Sequence, residues 1–145
     1  MIQPRFNRGQ IRRRIQEYAK RVDMAIVSRL TFIGETFIIN ARASGAYMDQ
    51  TGNLRSSIGY IVQKDGKKRA GSAFEKYANG AEGQKSGAAF MKGLRAKYDT
   101  GYVLIVCAGM QYAASVESMG KDVLTASSTQ AKKDLEQIFK NVREL

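Results

Sequence analysis

The sequence predicts an α+β fold, in which a long N-terminal helix and a C-terminal helix pack on a small, mostly antiparallel β-sheet with a long basic loop insertion. Apolar residues recur at helical spacing over residues 9–44 and again over residues 127–145. Two short segments between them, residues 57–63 and 101–109, have the β-branched and aromatic composition of strands. The 145 residues, of which 43% are apolar, suit one domain covering residues 1–145.

The first predicted helix covers residues 9–44. Its apolar residues follow one another mostly at steps of three or four, which places them on one face: Ile11, Ile15, Tyr18, Val22, Ile26, Leu30, Ile33 and Phe37. Segments 31–33 and 36–39 would also suit strands because they are β-branched and aromatic, but the long helical period favours a helix. Residues 24–39 should be buried on more than one side, and Gly45 is the expected C-terminal stop. A helix of ~35 residues is ~50 Å long, which suggests that it also packs against a neighbouring chain.

A turn and two paired strands are predicted for the middle of the chain. Asp49 and Thr51 are good capping residues, and Gly52-Asn53 has turn composition. The strand at 57–63 is paired in this prediction with the strand at 101–109. Because residues 101–109 are apolar on both faces, we expect them to form the central strand.

Residues 64–100 lose clear periodicity and are rich in glycine and lysine. We therefore predict a basic excursion from the domain, with room for short helices at 73–79 and 87–97. Loops of this length inside a domain are usually functional or mobile. The insertion is thus a candidate for contact with a partner.

The C-terminal part begins, in this prediction, with a short helix or turn at 110–117. A short strand follows at 121–126. The segment Ser127–Thr129 then caps a final helix that runs to Leu145, with an apolar face at helical spacing. The resulting order of helices and strands is typical of an α+β domain.

The net charge of +11 is concentrated in two basic patches. Residues 1–21 and residues 64–98 each carry +6, whereas residues 22–63 are neutral and residues 99–145 carry −1. Such asymmetry indicates contact with a polyanion or an acidic protein surface, although lysines and arginines that merely solvate exposed faces would look the same. The candidate DNA- or partner-facing residues are Arg12, Arg13, Arg14, Lys64, Lys67, Lys68 and Arg69.

Composition excludes most catalytic chemistry. The chain has no His and one Cys, so it has no Ser-His-Asp or Cys-His catalysis, no His-ligated zinc and no intrachain disulfide. Cys107 lies in an apolar strand and is expected to be inert, and Gly80–Ser86 lacks the spacing of a phosphate-binding loop. We therefore predict a protein that is not an enzyme and uses no cofactor or metal. The longest apolar run, Tyr102–Ala108, is about a third of a membrane span, so no membrane partner is expected.

Nucleic-acid contact is the other function that the basic patches suggest. The basic triplets Arg12–Arg14 and Lys67–Arg69, and tyrosines among lysines at Tyr77 and Tyr98, are compatible with binding to a nucleic-acid backbone. The sequence has no zinc finger, no RNA-recognition motif and no convincing helix-turn-helix. The alternative function is therefore a module that binds nucleic acid through phosphate without reading sequence.

Two segments carry a resemblance to a known family: Asp49-Gln-Thr-Gly-Asn-Leu-Arg-Ser-Ser-Ile58 and Gly101-Tyr-Val-Leu-Ile-Val-Cys-Ala-Gly-Met-Gln-Tyr-Ala-Ala-Ser-Val-Glu117. A Thr-Gly-Asn-Leu-Arg turn before a strand, followed later by a strand that leads into Tyr-Ala-x-x-Val-Glu, resembles the tail-completion (neck) proteins of long-tailed bacteriophages. The resemblance covers roughly residues 10–63 and 101–145. The segment after Glu117 departs from the family, since it lacks the Gly-Thr and the proline that often follow there.

The resemblance implies a structural virion protein of the head–tail junction, a minor tail protein made in the host cytoplasm. It implies a ring of identical subunits, expected to be a hexamer, whose partners are other neck and tail proteins and, through non-specific contact, the phage DNA in the channel. Residues Thr51–Arg55 would fix the start of the first strand, and Glu117 would be a subunit contact. From its position alone, Glu117 would instead be a cap or one partner of a surface ion pair. The implied subunit or partner contacts are Thr51, Gly52, Asn53, Leu54, Arg55, Tyr112, Ala113, Val116 and Glu117.

Overall fold

In a computed structural model, which describes residues 3, 5, 7–43 and 49–143, the chain is a mixture of helices and one small sheet. The predicted α+β class is confirmed, with a long N-terminal helix, a C-terminal helix and an antiparallel sheet. The elements in chain order are α1 (Arg8–Ala43), α2 (Asn53–Ser56), β1 (Ile58–Lys64), β2 (Lys67–Gly71), α3 (Ala81–Lys97), β3 (Tyr102–Ala108), α4 (Ala113–Ser118) and α5 (Thr125–Arg143).

The sheet has three antiparallel strands in the order β2-β1-β3. The predicted pairing of the two apolar strands is confirmed, with Ile58 opposite Ala108 and Lys64 opposite Tyr102. The prediction that residues 101–109 form the central strand is wrong, because β1 is central and β3 lies at an edge. Helix α1 packs on one face of β3 and α3 packs on the other, and this double cover explains why an edge strand is apolar on both faces.

Two apolar layers enclose the sheet. On one face, Phe37, Ile38 and Ala41 of α1 pack against alternate residues of β1 that begin with Ile58. On the opposite face, Met91 of α3 packs in a cluster with strand residues that point the other way. Because successive strand side chains point to opposite faces of the sheet, α1 and α3 pack against two different sets of strand residues.

Gly34 sets the distance between α1 and the sheet. A Cβ placed on Gly34 would lie 2.3 Å from Cδ2 of Tyr60, so only glycine lets the helix lie on that ring. The Tyr60 hydroxyl then donates a 2.6 Å hydrogen bond to Glu35 Oε1, and burial together with this bond raises the pKa of Tyr60. A residue that weakens an isolated helix thus permits the packing of this one.

The interpretation of residues 64–100 as a loop insertion is wrong for most of its length, because β2 and the 17-residue helix α3 lie within it. The expected helix at 87–97 is part of α3, whereas 73–79 contains no helix. The glycines of this segment resemble those of a loop, but they have another role. A Cβ on Gly83 would lie 2.0 Å from the carbonyl oxygen of Asn53, and one on Gly87 would lie 2.6 Å from the Phe74 ring, so these glycines permit close packing.

The C-terminal elements follow the prediction with one exception. Helix α4 begins inside the expected short helix or turn at 110–117 and ends one residue beyond it, and α5 begins at Thr125, two residues before the expected cap. No strand forms at 121–126, where residues 121–124 instead connect the two helices and bury Val123. The expected helix stop at Gly45 and the end of the chain at Leu145 lie outside the described residues.

Substitution of Gly34 by Ala is expected to destabilise the protein by about 1–3 kcal/mol, because the new methyl group overlaps the Tyr60 ring. Gly93→Ala in α3 is the matched control, since a Cβ there meets nothing within 4 Å. The control is expected to raise the free energy of unfolding by about 0.5–1 kcal/mol through helix propensity. Urea unfolding measures both, and equal effects of the two variants would contradict the packing role of Gly34.

Candidate functional site

The first 15 residues of α1, Arg8–Val22, form an arm that lies outside the packed core. Every residue of the arm is exposed. Four of the residues in the predicted apolar stripe lie on it, with 37% to 68% of each residue exposed: Ile11, Ile15, Tyr18 and Val22. The same stripe becomes buried further along α1, at Ile33 and Phe37. Within the described chain, the apolar face of the arm is therefore uncovered.

The arm begins with a reciprocal cap. The amide of Gln10 donates a 2.7 Å hydrogen bond to Asn7 Oδ1, and the amide of Asn7 donates a longer bond of 3.4 Å to Gln10 Oε1. This arrangement is that of a capping box, which satisfies the free amides of a first helical turn. An isolated helix of about 15 residues is nevertheless marginal in water, so a partner surface would stabilise the arm.

Asp23 anchors α1 at the point where the arm leaves the body. Its carboxylate accepts two hydrogen bonds from Arg69, of 3.0 and 2.7 Å, one from the Tyr102 hydroxyl at 2.5 Å and one from Lys64 at 3.4 Å. The hydrogen bonds from Arg69 and then from Tyr102 lower the pKa of Asp23 far below its ordinary range. Two of the predicted DNA- or partner-facing residues, Lys64 and Arg69, thus pair with a residue of the same chain.

The remaining predicted basic residues are exposed at two separate places. Arg12, Arg13 and Arg14 lie on the arm, whereas Lys67 and Lys68 lie on β2 at the edge of the sheet. The two basic triplets therefore lie on different elements, one on a helix and the other on an edge strand.

A basic groove of about 330 Å³ runs between β2 and α3, and its cationic residues are Lys68, Lys92 and Arg95. The buried amide of Gln63 places Arg95, because its Oε1 accepts a 3.2 Å hydrogen bond from Arg95 Nε while its Nε2 donates to the carbonyl oxygens of Arg95 and Tyr98. The sequence did not single out Lys92 or Arg95. Both stand in a segment rich in glycine and lysine, where no local signal separates them from the other cations, so only the fold reveals the groove.

The two segments that carry the family resemblance meet in the folded chain. Leu54 of α2 is buried in one cluster with Ala113 and Val123, and Val116 packs against that cluster. Gly52 has a φ of 77°, and a Cβ there would lie 1.9 Å from the Tyr77 carbonyl oxygen, so the turn requires glycine. The two motifs thus form one structural unit inside the chain.

Asp49 and Asn53 hold the first of these motifs in place. The carboxylate of Asp49 accepts hydrogen bonds from the amides of Leu54 and Arg55, at 3.3 and 3.0 Å. The side-chain oxygen of Asn53 accepts a 3.1 Å bond from the amide of Gly83, which ties α2 to the start of α3. Both interactions are made within the chain, and they fix the approach to β1.

Glu117 caps α5. Its Oε1 accepts hydrogen bonds from the amides of Leu124 and Thr125, at 3.0 and 2.8 Å, and from the Thr125 hydroxyl at 2.6 Å. These bonds, with the hydroxyl first, lower the pKa of Glu117. Of the roles expected for Glu117, the structure contains the cap. Thr51 and Tyr112 are exposed members of the motifs.

An acidic groove of about 560 Å³ lies at the other end of α1 from the arm. It runs between Glu35–Ala43 of α1 and the segment Gly71–Tyr77, and it contains the exposed side chains of Ile39 and Glu75. Arg42 is the cation in this groove. It donates to the carbonyl oxygen of Ile58 at 2.8 Å and lies 3.5 Å from Glu75, so its charge is already partnered.

Among residues 3, 5, 7–43 and 49–143, no group of three or more His, Cys, Asp or Glu side chains could hold a metal ion. Burial raises the pKa of the Cys107 thiol to about 12, which leaves it protonated at neutral pH. Within the same described part of the chain, no helix is both long and apolar enough to cross a membrane.

Comparison of the chain with protein-family models, with curated proteins and with solved structures finds no match in any of the three.

Glu117→Ala is expected to lower the free energy of unfolding by about 1 kcal/mol at pH 7, because the amides of Leu124 and Thr125, at the start of α5, lose their acceptor. The folded-state pKa lies below the ordinary value of 4.5, so the cap stabilises above that pH and is lost as the pH falls through the folded pKa. Glu136→Ala, at an exposed position of α5, is the control. Urea unfolding between about pH 7 and pH 2 measures the free energy of unfolding of both variants. If Glu117→Ala is destabilised relative to the wild type by as much near pH 2 as at pH 7, the charged cap is contradicted.

Proposed function

We propose that this chain is a structural virion protein of the phage head–tail interface, a tail-completion or neck protein that acts by assembling into a ring. The observation that carries the proposal is the uncovered apolar stripe of the arm, Ile11 to Val22. Contiguous apolar surface on a folded domain typically marks a protein interface. In a ring of identical subunits, each arm would find its cover on a neighbouring copy.

The arrangement of the two resembling motifs supports the same proposal. Their buried residues, Leu54 and Ala113, pack in one cluster beside the end of β3, and Glu117 starts α5 from that cluster. The resemblance therefore rests on a unit that shapes the body of the subunit. In the proposed ring, the neighbouring subunits would contact the arm and the exposed residues Thr51 and Tyr112.

Assembly and location in the particle test this function. The chain is expected to form closed rings in negative-stain images of the concentrated protein. It is also expected among the proteins of purified phage particles, in a copy number equal to that of one ring. A chain that stays monomeric and is missing from purified particles would contradict the proposal.

The basic groove between β2 and α3 favours a second candidate function, binding to nucleic-acid phosphates. Its cations are Lys68, Lys92 and Arg95, and no carboxylate is among the described residues that line it. Phosphate neutralisation needs no sequence motif, so such a groove suits non-specific binding. Under this function the isolated chain binds DNA at physiological salt, whereas a ring subunit has no need to do so.

Lys68→Glu combined with Lys92→Glu tests the second function. If the groove binds DNA, the double variant should weaken binding and flatten the slope of log K against log salt by about 2, since each lost phosphate contact changes it by ~0.9. Lys133→Glu with Lys140→Glu, at exposed positions of α5, makes the same change of charge elsewhere. Fluorescence anisotropy with a labelled duplex measures the slopes, and equal losses in both double variants would rule out a specific role for the groove.

A further inference from the structure

We propose that the arm of one copy docks into the acidic groove of the next copy, so that the ring is built from one repeated head-to-tail contact. The inference rests on the proposed ring and names the surfaces that form it. The arm offers the apolar stripe from Ile11 to Val22, and the groove offers Ile39 with the carboxylates Glu35 and Glu75.

Apolar surface is present on both sides of this contact. On the arm, Ile15 and Tyr18 are 63% and 68% exposed. In the groove, Ile39 is 62% exposed and lies beside Ala73 and Tyr77. Burial of both surfaces in one interface removes large exposed side chains of α1 from water, which is the main driving force for association.

Charge favours the groove, rather than a second arm, as the surface that binds the arm. The arm carries six basic residues and one acidic residue, a net charge of +5, and two arms side by side would repel each other. At 100° per residue, Arg12 and Arg21 lie about 90° from the centre of the stripe, on its two sides. The carboxylates Glu35 and Glu75 border the apolar part of the groove. Glu75 lies 3.5 Å from Arg42 but keeps 66% of its side chain exposed, and Glu35 is exposed beside its bond to Tyr60, so both can also meet such flanking cations.

The positions of the two surfaces make the contact head-to-tail. The arm occupies residues 8–22 and the groove begins at Glu35, so they lie toward opposite ends of a helix that is ~54 Å long. An arm therefore cannot reach the groove of its own chain. A contact between two different patches repeats from copy to copy and gives a closed ring or an open filament, whereas a symmetric dimer would need the same patch twice.

Disulfide cross-linking between full-length chains tests the docking directly. Ile15→Cys chains are mixed with Ile39→Cys chains and oxidised with oxidised glutathione. We expect at least tenfold more cross-linked heterodimer than in a mixture of Ile15→Cys with Phe139→Cys, whose cysteine lies at a similarly exposed apolar position of α5. Equal yields in the two mixtures, or Ile15→Cys homodimers as the main product, would overturn the proposal.

Charge reversal gives a second, independent readout. Arg12→Glu is expected to weaken assembly at least tenfold at low salt, and Glu75→Lys in the same chain is expected to restore part of the loss. Arg13→Glu is the matched control, because Arg13 lies about 170° from the centre of the stripe and the substitution makes the same change in net charge. Equal weakening by Arg12→Glu and Arg13→Glu in analytical ultracentrifugation would contradict the docking.

The outcomes separate this inference from the proposed function. Rings that form normally, with arms that cross-link elsewhere or not at all, would overturn the docking and leave the ring in place. The expected cross-link in a chain that is absent from phage particles would overturn the phage function and leave the docking in place. A wild-type chain that stays monomeric and gives no cross-link would overturn the docking itself.

Discussion

The length of α1 is the constraint on which the rest of the structure depends. The helix is ~54 Å long, whereas each seven-residue strand beneath it spans only ~23 Å. Gly34 lets its C-terminal half lie directly on Tyr60, and Asp23 ties it to Lys64, Arg69 and Tyr102 at the sheet. On the N-terminal side of Asp23, α1 continues as the arm. The apolar stripe also continues there, and no residue in the described part of the chain covers it.

The features predicted from the sequence are those that local patterns encode. Helical spacing identified α1 almost to the residue, and the β-branched composition of two segments identified β1, β3 and their pairing. Only the part of helix α3 at residues 87–97 was predicted, because Gly83 and the glycines around it look like loop residues, although Gly83 and Gly87 are needed for close packing. Strand β2 was missed because its sequence, Lys67–Gly71, is polar and lies at an exposed edge.

The candidate site was harder to predict, for a physical reason. A periodic stripe shows which face of a helix is apolar but not what covers it, so the exposed part at Ile15 could not be distinguished from the buried part at Phe37. Charge counts have the same weakness. Lys64 and Arg69 belong to a basic cluster in the sequence, yet both pair with Asp23 of the same chain. The basic groove combines Lys68 of that cluster with Lys92 and Arg95 of α3, which lie far from it in the sequence.

The central claim is that the exposed stripe of the arm is an assembly surface, and the mass of the particle in solution tests it most directly. Light scattering on the full chain should show an assembly for the wild type and a monomer for Ile15→Ser combined with Tyr18→Ser. Circular dichroism should still show a folded domain, with a loss of helical signal no larger than that of the arm, because neither residue contributes to the core. If the double variant assembles as the wild type does, the stripe is not the contact and the account is wrong.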